Sequence, residues 1–340
     1  MTTWMIYGAN GYTGELAARE AARRGLKPIL AGRNAEAIGA LASELGLPHR
    51  AFGLEAPNLE GVSAVLHCAG PFVRTSRPMV EACLAAKAHY LDITGEITVF
   101  EKVHSIGDKA RAAGIALLPG VGFDVVPSDC LAAQLAAELP DATELILAFA
   151  STKGAISRGT MKTMIENFPN SGAIRKDGKI VPVPMAFDAR KIDFPGGPRW
   201  AVTIPWGDVS TAWWSTGIPN IRVYTGTPPK QIQRMRRLRP FLPLLGWKPL
   251  KRFLQRQVEK RVTGPSEEIR RTAQMLLWGE VRNAAGKTVT KTLVTPEAYH
   301  LTAVSAVEAA VRASQGKVQP GAWTPSKAFG KDFVNELPFA

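Results

Sequence analysis

The strongest restriction on the fold comes from a glycine-rich turn near the start of the chain. The apolar run Trp4–Tyr7 leads into the turn, which reads Gly8-Ala-Asn-Gly-Tyr-Thr-Gly14 and opens a helical stretch. In a strand–turn–helix unit, such glycines permit a sharp turn, the approach of a pyrophosphate to the backbone and close helix packing. The amides at the helix N-terminus can then hold phosphate groups. The turn therefore predicts a dinucleotide site with contacts from Gly8, Asn10, Gly11, Tyr12, Thr13 and Gly14.

The residues that follow the turn alternate between two kinds of pattern. Apolar runs predict strands at 27–31, 62–68, 89–93 and 115–118. Apolar residues at helical spacing predict helices at 13–24, 35–45, 79–87 and 101–113. Strands that alternate with helices in this way predict a parallel sheet with right-handed crossovers, which is a Rossmann-type α/β fold.

The residues after the second predicted strand indicate which dinucleotide binds. An enzyme that uses NAD usually carries Asp or Glu there, because a carboxylate binds the ribose 2′-hydroxyl. This chain has Arg33 and Asn34 instead, and no acid follows before Glu36. A guanidinium would bind a 2′-phosphate through charge-assisted hydrogen bonds. The alternative is a solvated surface arginine, but the pattern favours NADP(H) as the cofactor.

Three glycine-containing segments follow the next predicted strands. They are His67–Phe72, Tyr90–Glu96 and Pro119–Asp129. Ligands of open α/β sheets bind at the carboxyl ends of the strands, and glycines there let the backbone lie close to a nicotinamide. The segments predict further cofactor contacts from Ala69, Gly70, Pro71, Phe72, Thr94, Gly95, Gly122 and Phe123. For Asp124 and Ser128, the alternative is capping of a helix that begins around Pro127.

These motifs together resemble those of the saccharopine dehydrogenase-like oxidoreductases, and in particular the trans-acting enoyl reductase group. The motifs that carry the resemblance in the first 130 residues are Gly8–Gly14, Gly70–Phe72, Tyr90–Glu96 and Gly122–Asp129. It continues through Ser157–Thr160, Tyr299–Ala303 and Trp323–Ser326, so it covers nearly the whole chain. The resemblance implies an NADP-binding Rossmann domain, a second α+β domain built on a mixed sheet, and reduction of C=C or C=N bonds.

We expect the Rossmann domain over residues 1–122, with residues 296–340 packing back on it, and a substrate domain over residues 123–295. Strands and turns are predicted over 180–226, and a hairpin joins 272–282 to 288–295. Four tryptophans in this part of the chain favour sheet core over an apolar substrate channel. They are Trp200, Trp206, Trp213 and Trp214. An amphipathic helix is predicted over 296–314.

Hydride transfer from a nicotinamide needs a positioned cofactor and a dry site, because the cofactor carries the chemistry. An enoyl substrate also needs a proton at its α-carbon, and the candidate donors are Asp124, Glu96 and Thr160, with water as the alternative. Ser157 and Arg158 begin a predicted helix and could hold a substrate carbonyl or carboxylate, unless they only cap it. The five isolated histidines predict no metal site. Three sparse cysteines without CxxC spacing indicate a reduced cytoplasm.

Three functions therefore compete. The first is NADPH-dependent reduction of a lipid-like or prenyl-like enoyl substrate. The second is a saccharopine-type reduction of an amino-acid imine, which two clustered arginines would favour, and only Arg158 and Arg175 lie nearby in the sequence. The third is an NADP-binding redox sensor without turnover, which would lack a substrate domain.

The positive charge is concentrated in one part of the chain. Residues 230–271 contain 13 Lys and Arg against 3 Glu, so they carry +10 of the formal +13 and leave only +3 elsewhere. Apolar and aromatic residues alternate with these cations over 230–262, which predicts an amphipathic segment at an anionic membrane surface. A solvated helix is the alternative. Nucleic acid is a weaker candidate, because no nucleic-acid-binding fold is recognisable.

The location follows from the remaining sequence signals. No apolar run reaches the roughly 18–20 residues of a membrane-spanning helix. The start of the chain lacks a basic stretch followed by an apolar one, so no signal peptide is predicted. We expect a cytoplasmic protein that is peripheral at the inner face of the membrane. A homodimer is also compatible with the sequence.

Overall fold

The computed structural model describes residues 3–153, 161, 172–246, 253–254, 256–258 and 264–339. The chain divides into two compact units, and each is described here by itself. The first unit comprises Met1–Val126 and Tyr299–Ala340, and the second comprises Pro127–Ala298. The functions predicted for the two domains stay predictions.

The described elements are numbered in chain order. The strands are β1 Trp4–Tyr7, β2 Ile29–Gly32, β3 His49–Ala51, β4 Ala64–His67, β5 His89–Asp92, β6 Ala116–Leu118, β7 Ala142–Ser151, β8 Ala173–Lys176, β9 Lys179–Pro182, β10 Ala189–Phe194, β11 Gly197–Thr203, β12 Asn220–Gly226, β13 Gln274–Asn283, β14 Thr288–Pro296 and β15 Gly321–Ala322. The helices are α1 Tyr12–Arg23, α2 Ala35–Leu45, α3 Phe72–Ala86, α4 Ile97–Ser105, α5 Gly107–Ala113, α6 Val126–Glu138, α7 Asp208–Thr216, α8 Pro229–Leu238, α9 Glu267–Thr272, α10 Ala298–Ser314 and α11 Pro325–Phe329.

The first unit is built on a parallel sheet of seven strands in the order β15-β6-β5-β4-β1-β2-β3. Every residue of β1, β2 and β4 is buried, as expected for a parallel sheet covered on both faces. The chain runs outward from β1 to β2 and β3, then returns to the other side of β1 as β4. The order of the strands therefore reverses between β1 and β4, where ligands of such sheets bind.

The predicted Rossmann-type sheet is confirmed, with two differences in its helices. Helix α3 begins at Phe72, seven residues before the predicted start, and it contains Pro78. An interior proline removes one helical hydrogen bond, so the sequence favoured a start just after it. The helix predicted over 101–113 is two helices, α4 and α5, which meet at Ile106.

The second unit is built on a mixed sheet of eight strands. Six follow the order β10-β11-β12-β7-β13-β14, while β8 pairs with β12 and β9 pairs with β8. β12 and β7 are parallel, whereas β13 pairs antiparallel with both β7 and β14. Helix α6 packs so closely on this sheet that a Cβ on Gly279 would lie 2.6 Å from Leu135. The predicted hairpin of β13 and β14 is confirmed.

Two expectations for the second unit are wrong. Helix α7 lies inside the stretch that was predicted as strands and turns, because tertiary packing overrides the low helix propensity of Val209 and Thr211. The four tryptophans do not form the sheet core: Trp200 and Trp214 are 40% and 42% exposed, and the other two are half-buried. Trp213 and Trp214 lie on α7 and Trp200 faces outward from β11. Among the described tryptophans of this unit, Trp278 on β13 is buried instead.

Candidate functional site

The glycine-rich turn lies where the order of the strands reverses. Gly8 has a φ of +82°, and its amide donates to the Ala31 carbonyl at 2.7 Å, which ties the turn to β2. A Cβ on Gly8 would lie 2.8 Å from the Ala69 amide nitrogen in the loop after β4. A Cβ on Gly14 would overlap with the Gly8 carbonyl oxygen. The sharp turn at Gly8 and the close packing at Gly14 are therefore as predicted.

Helix α1 opens directly from this turn. Gly11 precedes its first residue and supplies no side-chain cap, so the N-terminal amides of the helix lie at the turn. Asn10 is exposed, and Tyr12 and Thr13 are half-buried in the first turn. The ring of Tyr12 meets the ring of Tyr299 edge-on at 5.1 Å. A turn with glycines at positions 8, 11 and 14 that leads directly into a helix fits a dinucleotide pyrophosphate.

Arg33 and Asn34 follow β2 at the same edge of the sheet. The Asn34 side chain accepts a hydrogen bond from the Ala37 amide at 3.1 Å and so caps helix α2. Arg33 is exposed and makes no ion pair within the described residues. Its positive charge lowers the pKa of Tyr7, although burial of the phenol outweighs this effect and raises that pKa overall. The cation is therefore available at the end of β2.

The loop after β4 contains Ala69, Gly70 and Pro71, and Phe72 begins helix α3. Thr75 closes this loop, because its hydroxyl donates to the Ala69 carbonyl at 2.6 Å. The same hydroxyl oxygen lies 3.0 Å from Nε2 of His67, which is fully buried. Burial lowers the pKa of His67 to about 3, so the imidazole is neutral. Sequence reasoning missed Thr75, because it lies in the first turn of a helix that was predicted to start later.

A chain of hydrogen bonds fixes the loop after β5, which we define as residues 92–96. The carboxylate of Asp92 accepts hydrogen bonds from the Tyr90 hydroxyl at 2.6 Å and from the amides of Thr94 at 3.0 Å and Gly120 at 2.9 Å. The Thr94 hydroxyl in turn accepts from the Glu96 amide at 3.0 Å. Burial nevertheless raises the pKa of Asp92 to about 6. The motif that carried the resemblance therefore holds the ends of β5 and β6 together.

Glu96 continues this chain into helix α3. Its two carboxylate oxygens accept hydrogen bonds from the amides of Phe72 at 2.9 Å and Val73 at 3.0 Å. Both are first-turn amides of α3 that no helical carbonyl can reach. A carboxylate at a helix N-terminus is also favoured by the helix dipole. This explains why α3 begins at Phe72 and gives Glu96 a structural task.

Asp124 differs from both of these carboxylates. It lies in the loop after β6, which we define as residues 119–125, and it is only partly exposed. A Cβ on Gly95 would overlap with its Oδ2 atom, so the two loops touch at this point. Within the described residues its carboxyl group has no hydrogen-bond partner, and burial raises its pKa to about 7. A carboxyl group of this kind exchanges a proton near neutral pH.

Helix α10 holds the loop after β6 from the other side. The Thr302 hydroxyl accepts a hydrogen bond from the Phe123 amide at 2.9 Å, and the Ser305 hydroxyl donates to the Val121 carbonyl at 2.8 Å. A Cβ on Gly122 would lie 2.8 Å from the Thr302 side chain. Sequence reasoning missed Thr302 and Ser305 as positioning residues. Their partners lie about 180 residues away, so no local pattern could reveal the pairing.

Of the candidate catalytic and substrate-binding residues in the second unit, the structure describes only Arg175. Ser157, Arg158 and Thr160 lie outside the described residues, so their predicted roles stay predictions. Arg175 is 4% exposed, and its guanidinium donates to the carbonyls of Val209 at 2.8 Å and Gly178 at 2.7 Å. It also lies 5.3 Å from the ring of Trp213. The structure therefore uses Arg175 to hold β8 and its neighbours together.

The described residues contain no cluster of three or more His, Cys, Asp or Glu side chains that could hold a metal ion. No helix in this part of the chain is long and apolar enough to cross a membrane.

Comparison with known protein families supports the nucleotide site. Residues 4–118 match the family described as the saccharopine dehydrogenase NADP binding domain. This match confirms the resemblance that the sequence motifs indicated. It also identifies the glycine-rich turn as part of an NAD(P)-type dinucleotide-binding domain.

Three relatives match about half of the chain or less. A trans-acting enoyl reductase of Mycobacterium tuberculosis is 32% identical over 144 residues, which are 38% of this chain and 34% of that protein. Another protein of this organism, named as a candidate trans-acting enoyl reductase, is 31% identical over 183 residues, or 48% of this chain and 43% of the relative. A saccharopine dehydrogenase-like oxidoreductase of Rattus norvegicus is 25% identical over 202 residues, which are 51% of this chain and 47% of the relative. The matches thus span less than half the length of each relative.

One solved structure resembles the chain over nearly its full length. Saccharopine dehydrogenase (L-Glu forming) from Saccharomyces cerevisiae has a TM-score of 0.67 at 13% identity, with 99% of this chain and 96% of that chain covered. At this identity the likeness shows the fold alone. It confirms the predicted class, a Rossmann domain with a second domain on a mixed sheet.

Proposed function

We propose that this chain, whose residues 4–118 belong to the saccharopine dehydrogenase NADP-binding domain family, is an NADPH-dependent reductase of C=C bonds in apolar enoyl substrates. The observation that carries the proposal is the arrangement of two features of the first unit. The glycine-rich turn lies where the order of the strands reverses, and Asp124, whose carboxyl group has no hydrogen-bond partner among the described residues, follows the end of β6 in the same sheet. The names of the trans-acting enoyl reductases support the choice of an enoyl substrate.

The residues that would hold the cofactor are those at the carboxyl ends of β1, β2, β4, β5 and β6. The N-terminal amides of α1 would bind the pyrophosphate and Arg33 would bind the 2′-phosphate. The loops that contain Ala69–Phe72, Thr94–Gly95 and Gly122–Phe123 would border the nicotinamide. NADPH supplies a hydride to an electron-poor carbon when it is bound.

Asp124 is the best-placed proton donor among the three candidates. Reduction of an enoyl group requires a proton at the α-carbon, and a donor works best when its pKa lies near the operating pH. Burial holds the pKa of Asp124 at about 7, and no described residue engages its carboxyl group. Glu96 is less suited, because both its oxygens accept hydrogen bonds from backbone amides. Thr160 lies outside the described residues.

The imine alternative has less support. Its two arginines would have to face a dicarboxylate substrate, but Arg175 already donates to two backbone carbonyls and is buried. Arg158 lies outside the described residues. The redox-sensor alternative predicts no second domain, whereas this chain carries an eight-stranded second unit.

The deciding experiment is NADPH oxidation by the full chain with a panel of substrates. The panel contains a crotonyl thioester, a long-chain enoyl thioester, 2-oxoglutarate with lysine, and a long-chain aldehyde. We expect turnover with the enoyl thioesters and a preference for the long chain. Turnover with the imine mixture alone would favour the saccharopine-type reading. Tight NADPH binding without turnover on any member would contradict both enzymatic readings and leave the sensor.

A second experiment tests the choice of NADP(H). We expect Arg33→Ala to weaken NADPH binding about 10- to 100-fold and to leave NADH binding almost unchanged, because only NADPH carries the phosphate that the guanidinium would bind. Lys27→Ala is the matched control, since this exposed cation precedes the opposite end of β2. An equal loss of affinity for both cofactors would show that Arg33 does not read the 2′-phosphate.

A further inference from the structure

Helix α8 and the short 3-10 helix after it form a basic surface on the second unit, which we call the α8 surface (residues 230–242). Its exposed cations include Lys230, Arg234 and Arg237. Their spacing of four and three residues places them on one side of the helix, within an arc of about 60°. Ile232, on the opposite side, is only 4% exposed. Three cations therefore face away from the body of the unit.

Two further arginines of this surface have a structural task. The guanidinium of Arg239 donates to the carbonyls of Met185 at 2.6 Å and Ala186 at 2.7 Å. Arg236 donates to the same Ala186 carbonyl at 3.2 Å. Lys230, Arg234 and Arg237, by contrast, have no hydrogen bond or ion pair within the part of the chain that the structure describes.

The apolar residues of the α8 surface also divide into two groups. Ile232 and Leu242 are buried in a cluster with Met185 and Val202, which holds the surface in place. Leu238 and Phe241 are 46% and 59% exposed instead. Large apolar side chains in solvent beside unpaired cations are typical of segments that lie in the interface of a lipid bilayer.

We propose that the α8 surface binds the surface of an anionic lipid bilayer, with Lys230, Arg234 and Arg237 over the headgroups and Leu238 and Phe241 in the boundary with the acyl chains. Charge complementarity selects the anionic leaflet, and the exposed apolar side chains select a bilayer over a purely charged polymer. A nucleic acid would use the cations but would leave the aliphatic side chain of Leu238 in solvent. The binding is independent of the reductase proposal, because it uses none of the residues assigned to that activity.

The test is flotation of the full chain with vesicles of defined composition. We expect binding to phosphatidylcholine vesicles that contain phosphatidylserine, a loss of binding as salt is raised, and little binding to pure phosphatidylcholine. Because each cation near an anionic leaflet contributes about five-fold to the partition coefficient, the triple variant K230Q/R234Q/R237Q should lose on the order of 100-fold. Point substitutions are preferable to deletion of 230–262, which would remove the buried side chains of Ile232 and Leu242.

A matched triple variant separates local from general charge effects. K102Q/K109Q/K317Q removes the same charge from exposed positions of the first unit and should bind like the wild type. The double variant L238S/F241S should lose the part of the binding that persists at high salt. Circular dichroism and thermal unfolding report whether each variant is folded.

Three results would overturn the proposal. The first is equal binding by the two triple variants, and the second is equal binding to neutral and anionic vesicles. The third is tighter binding to double-stranded DNA than to anionic vesicles at the same salt concentration, which would identify the surface as one for nucleic acid.

Discussion

The loops after β5 and β6 carry carboxyl groups at neighbouring strand ends but engage them in opposite ways. In the loop after β5, Asp92 accepts three hydrogen bonds and Glu96 accepts two, all from groups of the protein itself. In the loop after β6, the carboxyl group of Asp124 has no hydrogen-bond partner among the described residues. The difference shows that residue type alone does not assign a role. The hydrogen-bond partners separate the two carboxylates that hold the loop after β5 from Asp124, whose carboxyl group no described residue engages.

The substitution Asp124→Asn should break this comparison most strongly. We expect the turnover of an enoyl thioester to fall about 10²- to 10⁴-fold, which is the usual contribution of a general acid. NADPH affinity and the melting temperature at neutral pH should not fall, because no described hydrogen bond depends on the carboxylate. Steady-state kinetics, NADPH titration and thermal unfolding check the three expectations. Turnover within about three-fold of the wild type would assign the proton to another donor or to water.

The substitution Gly95→Ala tests the contact between the two loops. A Cβ at this position would overlap with Oδ2 of Asp124, so the carboxyl group must move. We expect turnover to fall by up to about 100-fold, because a displacement of about 1 Å is enough to misplace a reacting group. Gly39→Ala on α2 is the control, since its Cβ would have no neighbour closer than 3.6 Å. A normal rate in Gly95→Ala would show that the position of Asp124 does not matter.

The substitution Glu96→Gln should affect stability more than catalysis. An amide offers one acceptor oxygen to two backbone donors and removes the negative charge from the N-terminus of α3, so we expect a loss of about 1–3 kcal/mol in the free energy of unfolding. Glu81→Gln on the same helix is the control, because its ion pair with Arg77 is exposed and should contribute less than about 1 kcal/mol. Denaturant unfolding measures both. A rate loss as large as that of Asp124→Asn without a loss of stability would reverse the two roles.

The smallest predicted effect is on the pH dependence of stability. Between an unfolded pKa of about 4 and a folded pKa of about 7, folding adds protons to Asp124, so its contribution makes the protein less stable as the pH rises. Asp124→Asn removes this contribution. The melting temperature of the variant relative to the wild type should therefore increase with pH across this window. A constant difference would show that the carboxyl group is not strained by burial.

The cations of the α8 surface also fall into two groups, those that bond to described residues of the protein and those that do not. Arg236 and Arg239 donate to backbone carbonyls and hold the segment, whereas Lys230, Arg234 and Arg237 have no described partner. The sequence shows a block of cations but does not reveal which of them bond to the protein. The division depends on the carbonyls of Met185 and Ala186, which lie about 50 residues earlier in the chain.

The sequence predicted what local patterns determine. The bounds of β1 and α2 agree with the structure, because an apolar run before Gly8 and apolar residues at helical spacing over 35–45 are local signals. The resemblance and the fold class are confirmed, and the glycines that shape the turn were recognised from their spacing. Partners that lie far apart in the sequence were not predictable. One example is Glu96, which caps α3 from the loop after β5. Another is Thr302, which holds the loop after β6. The burial of Trp278, where four other tryptophans were predicted to be buried, also depends on distant contacts.

The most direct test of the account is the pH dependence of kcat/KM for NADPH-dependent reduction of a long-chain enoyl thioester by the wild type and by Asp124→Asn. If the protonated carboxyl group of Asp124 donates the proton, kcat/KM of the wild type should be constant at low pH and fall as the pH rises through about 7. The variant should show a lower rate without this transition. The same transition in Asp124→Asn, or a wild-type rate that rises through pH 7, would contradict the assignment.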